Sequence, residues 1–152
     1  MKLLFVQDNA INESLAITEL SAYLEVRGVE TYLLIDREER DLIGAARALA
    51  PDIVVIPCEI MGEAWCFEMI ARLRLGLGSD LHVVVGGTYP TFFPDVVQRS
   101  DVPVILRGEA EEAMAEYVGL LQAGKDVTGT RNFSFNLGGG SSTTRCGPRW
   151  RT

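Results

Sequence analysis

Short apolar runs alternate with amphipathic segments five times along this 152-residue chain, and few architectures accommodate that order. The predicted strands are residues 2–7, 30–35, 52–57, 81–85 and 103–106, and the predicted helices are residues 12–27, 38–50, 61–75, 91–100 and 109–123. Because strands that are separated by a crossover helix pair in parallel, the pattern predicts an α/β fold with helices on both faces of one sheet.

The third predicted strand has the composition of a fully covered strand. Its sequence, DIVVIP (52–57), is almost entirely apolar and β-branched, which is typical of a strand that is buried on both faces. Right-handed crossovers then favour a doubly wound, five-stranded parallel sheet of the flavodoxin-like (Rossmann-like) order 2-1-3-4-5.

Charge is distributed unevenly along the chain. The sequence has 14 basic and 21 acidic residues, for a net charge of −7, but every Asp and Glu lies at or before Asp126. Residues 1–126 therefore contain 10 basic and 21 acidic residues (net −11), and residues 127–152 contain four Arg and no acid (net +4). An acidic body repels phosphate backbones, which argues against a nucleic acid partner. We predict a flavodoxin-like domain over residues 1–126, followed by residues 127–152 as short strands and a flexible Gly/Ser/Arg tail.

Apolar run lengths and cysteine spacing indicate the cellular setting. No apolar run approaches the ~20 residues that span a bilayer, so no membrane partner is expected. Cys58, Cys66 and Cys146 are too widely spaced for a disulfide framework or a paired zinc site, which favours a reducing, cytoplasmic setting.

Ligands of a doubly wound sheet bind at the carboxyl ends of the strands, so the loops there are the candidate site. These loops are residues 7–12, 57–62, 86–90 and 107–109. Gly86 and Gly87 directly follow the fourth strand, where the absence of Cβ atoms lets a ligand or another backbone approach closely. A tight turn with positive φ explains the two glycines equally well. Thr88 is placed to cap the next helix.

Other residues of these loops also have structural interpretations. Glu109 suits the positive end of the last helix dipole, Asp8 suits a loop cap, and Cys58 is of a type that most often lies in the core. His82 is the only histidine and begins the fourth strand, at the edge of the sheet opposite these loops. We therefore predict a structural role for His82 and no histidine in a catalytic or metal site.

Three functions that are common on this fold lack their residues. A phospho-acceptor receiver needs an Asp after the third strand and a Lys after the fifth, where this chain has Pro57-Cys58 and Arg107. A flavodoxin needs a Gly- and hydroxyl-rich loop after the first strand, and a dinucleotide-binding protein needs G-x-G-x-x-G there. The loop of this chain reads QDNAINES, which disfavours both.

Two longer segments carry a resemblance. VVVGGTYPTFFPD (83–95) and ILRGEAEEAMAEYVGLLQAGKDV (105–127) are similar to the cobalamin (B12)-binding domain of the B12-dependent radical-SAM enzyme family. PDIVVIPCEI (51–60) resembles the third strand of those domains, and the resemblance covers about residues 1–130. It implies cobalamin as the cofactor and a radical-SAM domain or protein as a partner.

The resemblance also implies which residues hold the cofactor. Gly86 and Gly87 would admit the nucleotide tail beside the fourth strand, and Cys58-Glu59-Ile60 stands at the place of the Ser-x-Leu motif of methionine-synthase-type B12 domains. The full implied set is Asp8, Asn9, Ala10, Ile11, Asn12, Cys58, Glu59, Ile60, Gly86, Gly87, Thr88, Tyr89, Pro90, Thr91, Arg107, Gly108 and Glu109.

The loop after the first strand departs from the methionine-synthase type, which supplies a histidine to cobalt from Asp-x-His-x-x-Gly. Here Asp8 remains, but Ala10 stands at the His position and Glu13 at the position of the last Gly. Because alanine cannot ligate cobalt, the resemblance implies that cobalamin binds base-off and His-off, with residues 9–12 near its lower face.

The resemblance stops short of a complete enzyme. A radical-SAM cluster needs Cys-x-x-x-Cys-x-x-Cys, which the three cysteines cannot supply. We therefore expect an excised, truncated or stand-alone B12-binding domain that presents the corrinoid to a radical-SAM partner, without catalytic residues of its own. Two alternatives remain open: a cofactor-free flavodoxin-like interaction or regulatory module, and a small hydrolase or transferase that uses Cys58 beside Glu59.

Overall fold

One mixed sheet with helices on both faces forms the fold. The computed structural model describes residues 1–10, 14–99, 101–137 and 141–143, the last three by their backbone only. The strands are β1 (Lys2–Gln7), β2 (Glu30–Ile35), β3 (Ile53–Pro57), β4 (His82–Gly86), β5 (Val104–Leu106), β6 (Phe133–Asn136) and β7 (Ser141–Thr143). The helices are α1 (Leu15–Glu25), α2 (Leu42–Leu49), α3 (Glu63–Leu77), α4 (Thr88–Phe92) and α5 (Glu111–Gln122), with a 3₁₀ helix at Pro94–Gln98. None of these helices is long and apolar enough to cross a membrane.

The strand order is β2-β1-β3-β4-β5-β6-β7. The first five strands are parallel, which confirms the predicted α/β fold and the order 2-1-3-4-5. The predicted number of five strands is wrong, because β6 pairs antiparallel with β5 and β7 pairs antiparallel with β6. Phe133 and Phe135 explain the extension: their rings are buried, and their strand covers the edge of β5 that five strands would leave unpaired.

Alternation along the strands divides the core between the two faces of the sheet. In β3, Val54 and Ile56 face a core that α2, α3 and the 3₁₀ helix cover. Ile53 and Val55 face a second core, which α1, α5 and β6 cover. All four side chains are at most 5% exposed, so the run of β-branched residues is explained by burial on both faces.

Two helices begin at positions other than those predicted. α4 begins at Thr88 rather than at residue 91, because Pro90 occupies the third position of the helix, where a missing N–H breaks no helical bond. Pro94 then ends the regular helix and begins the 3₁₀ turn. α5 begins at Glu111 rather than at 109, and Gly108, with φ +70°, remains in the preceding loop.

Candidate functional site

A cavity of about 320 Å³ lies at the carboxyl ends of the parallel strands, on the face that α1 and α5 cover. Its volume is at the lower end of the range for small-molecule sites, ~300–1,000 Å³. The residues that line it are Phe5, Ala16, Ile17, Leu20, Val55, Pro57, Glu59, Gly86, Gly87, Thr88, Thr91, Phe92, Leu106, Gly108, Glu109 and Ala110. The walls are thus mainly apolar, and the polar residues come from the loops after β3 and β5 and from α4.

The two glycines at the end of β4 have different roles. Gly86 is buried beside the cavity, and a Cβ added there would meet nothing within 4 Å. Gly87 has φ +101°, and a Cβ there would lie 2.8 Å from the Cys58 carbonyl oxygen. Gly86 therefore leaves room in the cavity, whereas Gly87 is required by the backbone itself. At Gly87 both the positive φ and the close approach of another backbone apply, whereas the approach of a ligand at Gly86 stays a prediction.

Thr88 and Glu59 join the loops after β3 and β4. The Thr88 hydroxyl donates a hydrogen bond of 2.6 Å to Oε2 of Glu59 and accepts one of 3.1 Å from the Ile60 backbone N–H. The backbone N–H of Tyr89 also donates to the Cys58 carbonyl, at 3.0 Å. These bonds fix the Glu59 carboxylate at the rim of the cavity.

Thr91 connects the β4 loop to the β5 loop. Its hydroxyl donates to the Gly87 carbonyl at 2.7 Å and accepts from the Gly108 backbone N–H at 3.1 Å. The carbonyl of Glu109 accepts a hydrogen bond of 2.9 Å from Nδ2 of Asn132. The loop that carries Gly108 and Glu109 is therefore held on both sides.

The Cys58 side chain does not line the cavity. Strand alternation directs the side chains of Val55, Pro57 and Glu59 towards the cavity. The side chain of Cys58, between Pro57 and Glu59, therefore points to the other face of the sheet. Cys58 is 1% exposed in the opposite core. There it forms a side-chain hydrogen bond with Cys66. This bond and burial raise the pKa of the Cys66 thiol well above its usual range. Such a buried thiol pair is unsuited to act as a nucleophile, which removes the support for the hydrolase alternative.

The described residues of the loop after β1 are not among the described residues that line the cavity. Asp8 forms an ion pair with Arg37, at 2.9 Å from Nε, and also accepts a hydrogen bond of 3.0 Å from Nδ2 of Asn9. Ala10 is exposed. The predicted residues Ile11 and Asn12 lie outside the described residues. In the described part of this loop, the contacts of Asp8 are those expected of a residue that caps the loop.

Several other predicted residues also lie away from the cavity. Tyr89 packs on the opposite face, with ring centroids 6.3 Å from Phe67 and 5.2 Å from Phe93. Pro90 is buried, Ile60 is 51% exposed, and Arg107 is half-buried with Nε unpartnered among the described residues.

The sole histidine lies far from this loop cluster in the fold. His82 is exposed at the amino end of β4, and its Nδ1 lies 3.4 Å from the hydroxyl of Tyr117. Within the described residues, no group of three His, Cys, Asp or Glu side chains is arranged to hold a metal ion.

Seven predicted residues meet around the cavity, namely Glu59, Gly86, Gly87, Thr88, Thr91, Gly108 and Glu109. The sequence interpretation missed the apolar wall, which includes Phe5, Ile17 and Leu20. The signal that could have found these residues is the alternation in β1 and the apolar stripe of α1, both read towards the same face of the sheet.

Comparison with known protein families identifies the family of this chain. The family described as the B12 binding domain matches residues 2–118. This chain belongs to the B12-binding domain family. Its cofactor is cobalamin.

The relatives of this B12-binding domain are much longer proteins. It is 27% identical over 103 residues to the uncharacterised methyltransferase PH0819 of Pyrococcus horikoshii, a match that covers 65% of this chain and 22% of that protein. The radical S-adenosylmethionine methyltransferase TsrM of Kitasatospora setae, solved with cobalamin and a [4Fe-4S] cluster, matches with a TM-score of 0.76 and 20% identity, over 99% of this chain and 30% of TsrM. The cobalamin-dependent S-adenosylmethionine radical enzyme OxsB, solved with aqua-cobalamin and S-adenosylmethionine, matches with a TM-score of 0.78 and 18% identity, over 97% and 22%.

The residues around the cavity fit part of a cobalamin molecule. Its benzimidazole is a flat, apolar group, and the cavity offers Phe5, Val55 and Leu106 on the sheet side and the unfilled space beside Gly86. A Cβ at Gly86 would project into that space. The apolar part of the lining therefore suits a flat apolar group.

Proposed function

We propose that this B12-binding domain holds cobalamin base-off and His-off, with the nucleotide tail in the cavity beside β4. The observation that carries the proposal is the space at Gly86: the position is buried, yet an added Cβ would meet no atom within 4 Å. Gly108 and Ala110, on the far side of the cavity, add no bulk to that space. A base removed from cobalt needs such a sheltered apolar cavity, because its ring would otherwise remain in water.

The position of His82 supports His-off binding. His82 is the only histidine of the chain and begins β4, whereas the cavity lies beyond the carboxyl ends of the strands. Ala10, in the loop where methionine-synthase-type domains have their histidine, has no side chain that can bind a metal. The lower face of cobalt would therefore receive water or no ligand.

Exposed apolar residues around the cavity support a corrin-binding rim. Ile60 is 51% exposed, Met61 91%, Phe92 68% and Phe93 52%. Ile60 and Met61 lie in the loop after β3, and Phe92 and Phe93 lie at the end of α4. Met61 also has a positive φ of 74°, which is unfavourable for a residue with a side chain. Exposed apolar clusters of this kind commonly mark a ligand or partner surface.

The radical-SAM relatives support a role towards a partner. This B12-binding domain spans 22% of PH0819 and 30% of TsrM, so it corresponds to a fraction of each relative. Bound cobalamin would supply a carbon–cobalt bond for methyl transfer. The domain would orient the corrinoid and shelter its tail, and a radical-SAM domain or protein would act on the exposed side.

Mixing the protein with hydroxocobalamin, followed by a desalting column, tests the proposal. We expect about one equivalent of cobalamin to co-elute with the protein, with a base-off absorbance spectrum that His82→Ala leaves unchanged. Gly86→Leu should fill the cavity and abolish retention, because the new side chain would occupy the space of the tail.

Gly86→Ala, which adds only a Cβ, is the matched control for Gly86→Leu and should retain more cobalamin. Far-ultraviolet circular dichroism should show that both variants keep the fold. A base-on spectrum would contradict the proposed binding mode. Failure to retain any corrinoid, under oxidising or reducing conditions, would refute the proposed function.

A further inference from the structure

The cavity opens where β4 and β5 stop pairing with each other. β3 and β4 pair over five residues, whereas β4 and β5 pair over two, the second of which joins Val85 and Ile105. Gly86, Gly87 and Gly108 follow this last pair, and all three line the cavity. The connection between the two loops beyond the last pair therefore determines how wide the cavity is.

Thr91 makes that connection with a single hydroxyl. The hydroxyl donates to the Gly87 carbonyl at 2.7 Å and accepts from the Gly108 backbone N–H at 3.1 Å. A direct bond between a backbone N–H and a carbonyl would bring nitrogen and oxygen to about 2.9 Å. Because a hydroxyl stands between them here, the two backbones are held farther apart. The Thr91 hydroxyl is thus a spacer as well as a link.

The loop after β5 is fixed on its other side by contacts with Asn132. The Arg107 backbone N–H donates to the Asn132 carbonyl at 2.9 Å, and Nδ2 of Asn132 donates to the Glu109 carbonyl at 2.9 Å. These bonds come from the side of β6, on the far side of β5 from β4. They hold the loop to β6 but do not set its distance from Gly86.

Resting on the proposed function, we infer that Thr91 is a positioning residue for cobalamin, whose hydroxyl keeps the cavity wide enough for the nucleotide tail. Without the hydroxyl, the Gly87 carbonyl and the Gly108 N–H lose their partner, and they can satisfy each other only by narrowing the cavity. A cavity that must be reopened binds its ligand more weakly, because part of the binding free energy is used to reopen it.

Equilibrium binding of hydroxocobalamin to Thr91→Val and Thr91→Ser, followed by absorbance, tests the inference. Valine keeps the branched shape of threonine but lacks the hydroxyl, and we expect it to raise the Kd about tenfold. Serine keeps the hydroxyl and should bind within about twofold of the wild type. At saturating cobalamin, both variants should give the base-off spectrum of the wild type. If the valine variant does not fold, Thr91→Ala, which also lacks the hydroxyl, takes its place.

Diaquocobinamide, which has the corrin but no nucleotide tail, separates positioning from a general effect on the fold. Thr91→Val should leave the Kd for diaquocobinamide within about twofold of the wild type, because no tail enters the cavity. An equal loss of affinity for both corrinoids would overturn the inference. If diaquocobinamide does not bind to the wild type, the comparison of valine with serine decides alone.

Thr18→Val is the matched control for Thr91→Val. Its hydroxyl also donates to the carbonyl four residues earlier, that of Ser14 at 3.4 Å, but Thr18 is exposed on α1 and is not among the described residues that line the cavity. It should leave the Kd unchanged. Wild-type affinity in Thr91→Val, or a loss that serine does not restore, would overturn the inference and leave the proposed function intact. Failure of the wild type to bind hydroxocobalamin would instead refute the proposed function, and the inference with it.

Discussion

Gly86 and Gly87 are neighbours in sequence but tolerate a methyl group very differently. Alanine at Gly87 would need a φ near +101° and would bring its Cβ within 2.8 Å of the Cys58 carbonyl oxygen. We expect Gly87→Ala to lower the free energy of unfolding by about 2 kcal/mol or more, as measured by urea denaturation.

Gly86→Ala is the matched variant, because its Cβ would enter open space and its backbone has no positive φ. Its free energy of unfolding should stay within about 1 kcal/mol of the wild type, and replacing a strand glycine favours an increase. Equal destabilisation by the two substitutions would show that the backbone contact at Gly87 is unimportant.

At the residue level, glycines and loop carboxylates were visible in the sequence because their types are unusual at strand ends. Glu59, Gly86 and Gly108 could therefore be predicted to share one edge of the sheet. The core position of Cys58, one of the two interpretations that the sequence allowed, is confirmed, whereas the cofactor position that the resemblance implied is not where its side chain lies. The face of a residue just after a strand depends on where the strand ends. If the strand ends one residue earlier or later, the side chain of that residue points to the opposite face of the sheet.

Among the elements, β2 and α3 are joined by a partly buried carboxylate. Asp36, just after β2, accepts hydrogen bonds from Trp65 Nε1 at 3.0 Å and from an Arg72 terminal nitrogen at 3.1 Å. Its side chain is 16% exposed. We expect Asp36→Ala to lower the free energy of unfolding by about 1–3 kcal/mol, because the partly buried Trp65 N–H and the Arg72 guanidinium both lose their acceptor.

Asp101→Ala serves as the comparison, since it also removes a carboxylate from an arginine. The Arg99 hydrogen bond lowers the pKa of Asp101, but the pair is largely solvated, with side chains 51% and 35% exposed. Its loss should cost less than about 1 kcal/mol in urea denaturation. If both variants lost the same stability, burial would not explain the effect of Asp36.

Packing between α5 and β6 makes stability sensitive to alkaline pH. Tyr117 stacks on Phe133 with ring centroids 4.6 Å apart, and burial raises the pKa of its hydroxyl to about 12. The folded-state pKa is higher than the ordinary value of about 10. The contribution of the neutral Tyr117 hydroxyl to the free energy of unfolding is therefore fully present below pH 10 and is lost as the pH rises through 12.

The expected loss from Tyr117 is about 2–3 kcal/mol between pH 9 and pH 12. Tyr117→Phe should remove this part of the pH dependence, so that its free energy of unfolding falls less than that of the wild type over the same interval. Urea denaturation at several alkaline pH values measures both slopes. Parallel curves for the two proteins would contradict the assignment to Tyr117.

Element types were more predictable than element ends. The spacing of apolar residues located all five parallel strands and their helices, because each of these elements buries one or both of its faces in the core. The predicted helix begins at residue 91, whereas α4 begins at Thr88, because proline is accepted in the first turn of a helix. The membership of β6 in the sheet depends on contacts with β5 that are distant in sequence.

For the whole molecule, the contacts of β6 determine how much chain the fold requires. Phe133 and Phe135 are buried in the same core as Tyr117 and Met114. The backbone of β6 pairs with β5 over three residues. None of the residues of β6 lines the cavity, so the strand contributes to stability without contacting the site.

Two shortened chains, one ending at residue 126 and one ending at residue 137, test the contribution of β6 to stability. Without β6, the two phenylalanines no longer cover Tyr117, and about 1.5–3 kcal/mol is lost for each buried ring. That total is a large part of the ~5–15 kcal/mol that stabilises a typical domain. We therefore expect the chain ending at 126 to unfold at a much lower urea concentration, whereas the chain ending at 137 should stay close to the full chain and retain hydroxocobalamin. Similar urea midpoints for the two shortened chains would mean that residues 1–126 are a self-sufficient folding unit and that β6 is an accessory strand.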